Sequence, residues 1–76
     1  MARYRNLSGQ SAVVSYEIGD DNIMVEFEKG KYRNYLYTYV SAGIDNIEQM
    51  KALAIAGHGL NSFIKTTVNI LYAEKW

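Results

Sequence analysis

Tyrosines at positions 32, 35, 37 and 39, with Lys29, Lys31 and Arg33 before and among them, combine flat phenol faces with cations. Those groups suit a ligand that carries bases or phosphates. A ring can stack on a nucleobase, worth about 1–3 kcal/mol per base, and a guanidinium can contact a phosphate or lie over a ring. In an extended strand, residues of one parity share a face. Arg33, Tyr35, Tyr37 and Tyr39 therefore line one side, with Leu36, Thr38 and Val40 on the other. The competing reading is that Tyr35 and Tyr37 cover the helices' apolar stripes and bring only their hydroxyls to the rim. Tyr32 and Tyr39, at the strand's ends, are then the better stacking residues. A second constellation is Gly57-His58-Gly59 just ahead of Leu60. If a helix starts there, its free N–H groups favour an anion. Lys65 falls one turn after Asn61 on the same face, so both can reach a phosphate. The alternative is that Asn61 caps the helix and Lys65 is solvated. The candidate ligand-binding set is Tyr32, Arg33, Tyr35, Tyr37, Tyr39, His58, Asn61 and Lys65.

Other chemistry finds little support. His58 is the single histidine and lies between two glycines, with no nucleophile or orienting partner in sight. Asp20 and Asp21 read as a solvated hairpin tip, since no calcium-loop spacing surrounds them. There is no cysteine, which removes disulfides and thiolate metal sites. The expectation is a non-enzymatic protein without metal or cofactor. Eight basic residues balance eight acidic ones, so a long polyanion has no basic stripe to follow and a short RNA or small nucleotide fits better. No apolar run reaches the roughly 20 residues of a membrane span, and Met1 to Arg5 lacks the apolar stretch of a signal peptide. A soluble cytoplasmic protein is the default expectation.

The elements that position these residues follow from periodicity. Seventy-six residues make one domain, 1–76, of a size that buries only about 60% of its extended-chain surface. Ala12 to Ile18 alternates, with Val14, Tyr16 and Ile18 on one face and Val13, Ser15 and Glu17 on the other. A turn at Gly19 to Asn22 leads to a second strand, where Ile23, Val25 and Phe27 face inward. Lys29-Gly30 reads as a tight reversal, and Lys31 to about Val40 as the third strand. Past Ser41, Asp45 and Glu48 resemble a capping box, and Ile44, Ile47, Met50, Leu53 and Ala54 recur at helical spacing as far as Gly57. Leu60, Phe63, Ile64, Thr67, Val68, Leu71 and Tyr72 then mark a second helix, with Asn61, Ser62, Lys65 and Asn69 opposite. The β-branched stretch 66–72 is alternatively a fourth strand. The fold class is α+β, in the order β-β-β-α-α: a three-stranded antiparallel meander with two helices packed on one face. Its other face would expose Val13 and Met24, with Leu36 and Val40 or else Tyr35 to Tyr39, a patch that a homo-oligomer or pairing of strand edges would cover. A protein-interaction or self-association module is thus the alternative function.

Several motifs occur in a familiar order. Val25 and Phe27, Gly30, Tyr35-Leu36-Tyr37 with Val40 three residues on, and Gly59-Leu60-Asn61-Ser62-Phe63-Ile64-Lys65 together resemble the KTSC family. This is a short bacterial domain found at the C-terminus of some lysyl-tRNA synthetases and also as a free-standing protein. The resemblance covers roughly Ala12 to Val68. Ser41 stands where the family commonly has proline, and Gly57-His58-Gly59 near its usual small-residue turn. The resemblance implies the fold given above and RNA binding as the usual conjecture for the family's role.

Overall fold

The computed structural model describes all 76 residues. Five strands form one antiparallel sheet in which each strand lies beside its neighbour in sequence: β1 (Ala2–Arg3), β2 (Val13–Ile18), β3 (Asn22–Phe27), β4 (Asn34–Thr38) and β5 (Glu74–Lys75). Between β4 and β5 the chain makes α1 (Tyr39–Ala42), α2 (Ile44–Ala56), α3 (Leu60–Phe63) and a π-helical turn at Ile64–Val68. The α+β class and the central meander agree with the sequence reading, while the strand and helix counts and several boundaries differ.

β3 behaves as its alternation predicts, with Ile23 and Val25 fully buried. β2 does not. Val13 pairs with Phe27 and Ser15 with Glu26, so two residues of β2 advance against one of β3. Val14 is the extra residue of a β-bulge, which reverses parity within the strand. Val13 consequently shares the helix-facing side with Tyr16 and is buried in the core, whereas Val14 is exposed. This corrects the expectation that Val13 faces outward.

The reversal after β3 is also longer than a two-residue turn. Residues 28–33 form a loop closed by the Phe27 N–H donating to the Arg33 carbonyl at 2.7 Å. Gly30 holds φ at +123° in that loop, a region that side chains disfavour. β4 ends at Thr38 rather than Val40 because Thr38 and Ser41 form a reciprocal capping box, Ser41 N–H to Thr38 Oγ1 and Thr38 N–H to Ser41 Oγ, both at 3.0 Å. Tyr39 and Val40 thereby enter α1, and Val40 is almost wholly exposed.

α2 has no side-chain cap; Gly43 precedes it, so Asp45 and Glu48 do not form the expected capping box. Ile47, Met50 and Ala54 are buried along its inner stripe, while Ile44, in the first turn, is exposed. Beyond Gly57 and Gly59, the buried residues are Leu60, Ile64 and Val68, spaced by four. A strict spacing of four exceeds the 3.6 residues of an α-helical turn, and the chain accommodates it by widening into the π turn. The stretch 66–72 is therefore neither a continued α-helix nor a regular strand. The Ala73 N–H donates to the Leu36 carbonyl, and β5 pairs Glu74 with Leu36 and Lys75 with Tyr35.

One core of twelve residues lies between the sheet and the helices, built on Ile23, Val25 and Tyr37 from the strands, with Ile47, Met50, Leu60 and Val68 opposite. Tyr4 completes it from the N-terminal segment, and its hydroxyl accepts the Leu60 N–H at 3.3 Å. Helices cover only this face. On the other, Met24 and Leu36 are cross-strand partners and half-buried, beside Glu26, which accepts a 2.6 Å hydrogen bond from Ser15 Oγ. Both sheet edges are two-residue strands, too short to template another chain's edge. No helix is long and apolar enough to cross a membrane.

Candidate functional site: a lysine-rimmed aromatic groove

The register of β3 and β4 places Val25 opposite Tyr35 and Ile23 opposite Tyr37, so both tyrosines point toward the helices. Tyr35 is the hub of an aromatic cluster. Phe27 and Tyr72 meet it edge-on, with ring centroids 5.4 and 5.3 Å away, and Tyr37 stacks beside it at 6.5 Å. Such pairs are worth about 0.5–1.5 kcal/mol beyond their buried area. The cluster is the floor of a groove of about 490 Å³, between the 28–33 loop, the π turn and β5. The loop contributes Lys29, Lys31 and Tyr32, the helical side Asn61, Lys65 and Asn69, and the C-terminal strand Lys75.

Four of the chain's five lysines therefore meet at one groove, and no carboxylate lines it. Net neutrality hides this segregation. Two of the cations are set against rings: Lys75 Nζ lies 4.9 Å from the centroid of Tyr32 and 5.0 Å from that of Tyr72, and Lys31 Nζ lies 5.6 Å from Tyr32. Exposed contacts of this kind contribute about 0.5–1 kcal/mol each and pre-position the ammonium groups. Interaction with Tyr72 is the main influence raising the Lys75 ammonium above its ordinary pKa. Tyr37 is buried, and burial, reinforced by Tyr35 and Tyr72, pushes its phenol well above the ordinary tyrosine value. Its hydroxyl makes no hydrogen bond inside the chain, yet no fully buried polar side-chain atom lacks a partner. On a side chain only 1% exposed, the hydroxyl has no more than a sliver of surface open at the groove floor.

The structure thus brings together five of the sequence-derived site residues, Tyr32, Tyr35, Tyr37, Asn61 and Lys65, and leaves three outside. Arg33 is exposed and engaged through its backbone, its N–H donating to the Trp76 carbonyl. His58 is exposed in the turn between helices. At the helix start just after it, α3 has only four residues and its leading Leu60 N–H donates to the Tyr4 hydroxyl. Asn61 lies within α3, one residue past its start, and is not a cap.

Tyr39 belongs to a different cluster. Its hydroxyl donates to Glu48 Oε2 at 2.6 Å, Lys51 Nζ pairs with the same oxygen at 3.0 Å, and Lys51 also donates to the Asp20 carbonyl. This ties the β2–β3 hairpin to α1 and α2. Hydrogen bonding from Tyr39, then from Lys51, lowers the Glu48 pKa below its ordinary value of 4.5. A lowered carboxylate contributes stability that is present above the unfolded pKa and lost as pH falls through the folded one. Tyr39→Phe removes the leading donor. Its acid-unfolding limb should be shallower than that of the parent chain in pH-dependent thermal melts; identical limbs would discount the contact.

Sequence reasoning missed Tyr72, Lys75 and Asn69 as groove residues. Asn69 carried a signal, since Asn61, Lys65 and Asn69 repeat every four residues on the flank of the buried Leu60-Ile64-Val68 row. Lys75 carried none, because its place depends on β5 pairing. Comparison of the chain with protein-family models, with curated proteins and with solved structures finds no match.

Proposed function

We propose that the protein is a small non-enzymatic binding module whose groove takes a short ligand carrying phosphate, an RNA fragment or a small nucleotide. The observation that carries this reading is the meeting of Lys29, Lys31, Lys65 and Lys75 over the Phe27-Tyr35-Tyr37 floor in a chain of zero net charge. Ammonium groups supply the phosphate contacts and the rings supply an apolar, stackable surface. The volume lies within the roughly 300–1,000 Å³ of small-molecule sites. The resemblance to the KTSC family, for which RNA binding is conjectured, points the same way.

The test is a low-salt titration of the isotopically labelled chain with short single-stranded RNAs and a nucleotide panel. Tyr32, Tyr35 and Lys65 resonances should move together with those of Lys75. Lys65→Glu reverses one rim charge on an exposed side chain, so it should weaken any anionic ligand by about tenfold or more, the worth of one charge-assisted contact, with the fold intact. Unchanged affinity would remove the helical rim from the site.

Self-association is the second reading, and the uncovered sheet face favours it. Met24 and Leu36 are neighbours there, and the β5 register brings the exposed Trp76 alongside Asn34 on the same face. This reading expects a dimer or larger assembly by sedimentation, dissolved by Leu36→Asp. A monomer at high concentration would dismiss it. The groove lies on the opposite side of the sheet, so the two readings are separable.

A further inference from the structure

The charge and composition of the groove limit which phosphate ligand suits it. We infer that the groove is a site for a free nucleoside polyphosphate, bound without a divalent cation. This inference rests on the reading of the groove as a phosphate-ligand site and narrows it to one class.

The first observation is the number of cations. A phosphate monoester carries about two charges near neutral pH, which would leave two of the four rim ammonium groups without a counter-charge. A polyphosphate chain supplies the remainder within a short reach. An RNA strand carries one charge per nucleotide, so matching four lysines would take about four nucleotides. That is more than a space of about 490 Å³ admits.

The second observation is the absence of carboxylates. Proteins that take a polyphosphate with its magnesium usually ligate the metal through one or two carboxylates. Here the nearest acids in sequence point elsewhere: Glu28 lines a separate recess with Arg3 and Arg5, and Glu74 pairs with Leu36, placing it on the opposite face from Lys75. A bound Mg²⁺ would also neutralise the charges that the lysines recognise.

The third observation concerns the base. The Phe27, Tyr35 and Tyr37 floor is apolar and aromatic. The side-chain amides of Asn61 and Asn69 line the same space and engage in no hydrogen bond within the chain, leaving donors and acceptors for a base edge or ribose. An inorganic polyphosphate would use the rim and waste the floor.

Calorimetric titration of the full chain at low, matched ionic strength distinguishes the cases, using ATP with EDTA, ATP with excess Mg²⁺, AMP, sodium tripolyphosphate and a tetranucleotide RNA. ATP with EDTA should bind at least about tenfold more tightly than AMP, corresponding to one or more additional charge-assisted contacts. Mg²⁺ should weaken ATP severalfold, and tripolyphosphate and the RNA should both bind more weakly than ATP. Lys75→Gln should reduce ATP affinity while leaving AMP less affected. Tightening by Mg²⁺, equal binding of AMP, or tripolyphosphate or RNA matching ATP would overturn the inference while leaving a phosphate site in the groove. No binding by any probe would sink the inference and the parent reading together.

Discussion

Gly57→Ala should remove about 2–4 kcal/mol of folding stability, through two costs at one atom. Gly57 closes α2 with φ at +83° in the left-handed region, where a Cβ costs about 1–2 kcal/mol. That Cβ would also lie 2.8 Å from Arg5 Cβ and 3.2 Å from Arg5 Nε, so the N-terminal segment would have to move. The segment has little freedom there. Arg5 Nη2 donates to the Ile55 carbonyl at 2.6 Å, the Leu7 N–H donates to the Gly57 carbonyl at 2.8 Å, and Tyr4 is buried in the core. The arginine satisfies a carbonyl in the last turn of α2, where a cation also opposes the helix dipole. A chain of this length holds in total about 4–11 kcal/mol, so the loss is a large fraction. Thermal melts should shift down by roughly 8–32 °C, at the 4–8 °C per kcal/mol of small domains. Gly57→Asn separates the costs, because asparagine tolerates the left-handed region but carries the same Cβ. If it melts with the alanine variant, contact with Arg5 dominates. A shift of only a few degrees for Gly57→Ala would mean that the segment's docking is soft.

Tertiary pairing decided what local pattern left open. β3 was readable because its alternation of Ile23, Val25 and Phe27 is uninterrupted and matches the burial. In β2 the same rule misplaces Val13, because the bulge at Val14 is defined against the partner strand and leaves no local mark. β1 and β5 are two residues each, shorter than one period of any pattern, and exist only through the strands they join. The loss of Tyr39 from the strand was in principle visible, since Thr38 and Ser41 have the types and spacing of a cap; the alternation of tyrosines masked it. The groove was half legible for the same reason. Tyr35, Tyr37, Asn61 and Lys65 lie on elements with a period, whereas Lys75 and Tyr72 reach the groove only because β5 returns to β4. His58 and Arg33 had suitable chemistry, but their turns direct them to solvent.

Tyr37→Phe should be close to neutral at pH 7 and increasingly stabilising, relative to the parent chain, above about pH 10. The phenol is 1% exposed and makes no hydrogen bond within the chain, so its removal leaves no partner unsatisfied. In the folded chain its pKa is raised from 10.0, first by burial and then by Tyr35 and Tyr72. The proton is therefore held more tightly when folded than when unfolded. Stability from this group is complete below the unfolded value and lost as pH rises from there toward the folded value. Over that window the slope is about 1.4 kcal/mol per pH unit for one proton. Tyr39, Lys51 and Lys75 also have raised values and act in the same direction, so the parent's alkaline limb is composite. The difference between the two chains isolates Tyr37, because phenylalanine keeps the ring in the stack and removes only the ionisable group. Denaturant midpoints measured between pH 7 and 11.5 should coincide at the low end and separate progressively above pH 10. Parallel curves would place the Tyr37 hydroxyl in solvent rather than on the groove floor. The same variant bears on the groove: if the hydroxyl contacts a bound base, Tyr37→Phe should weaken nucleotide binding at neutral pH, where its effect on stability is smallest.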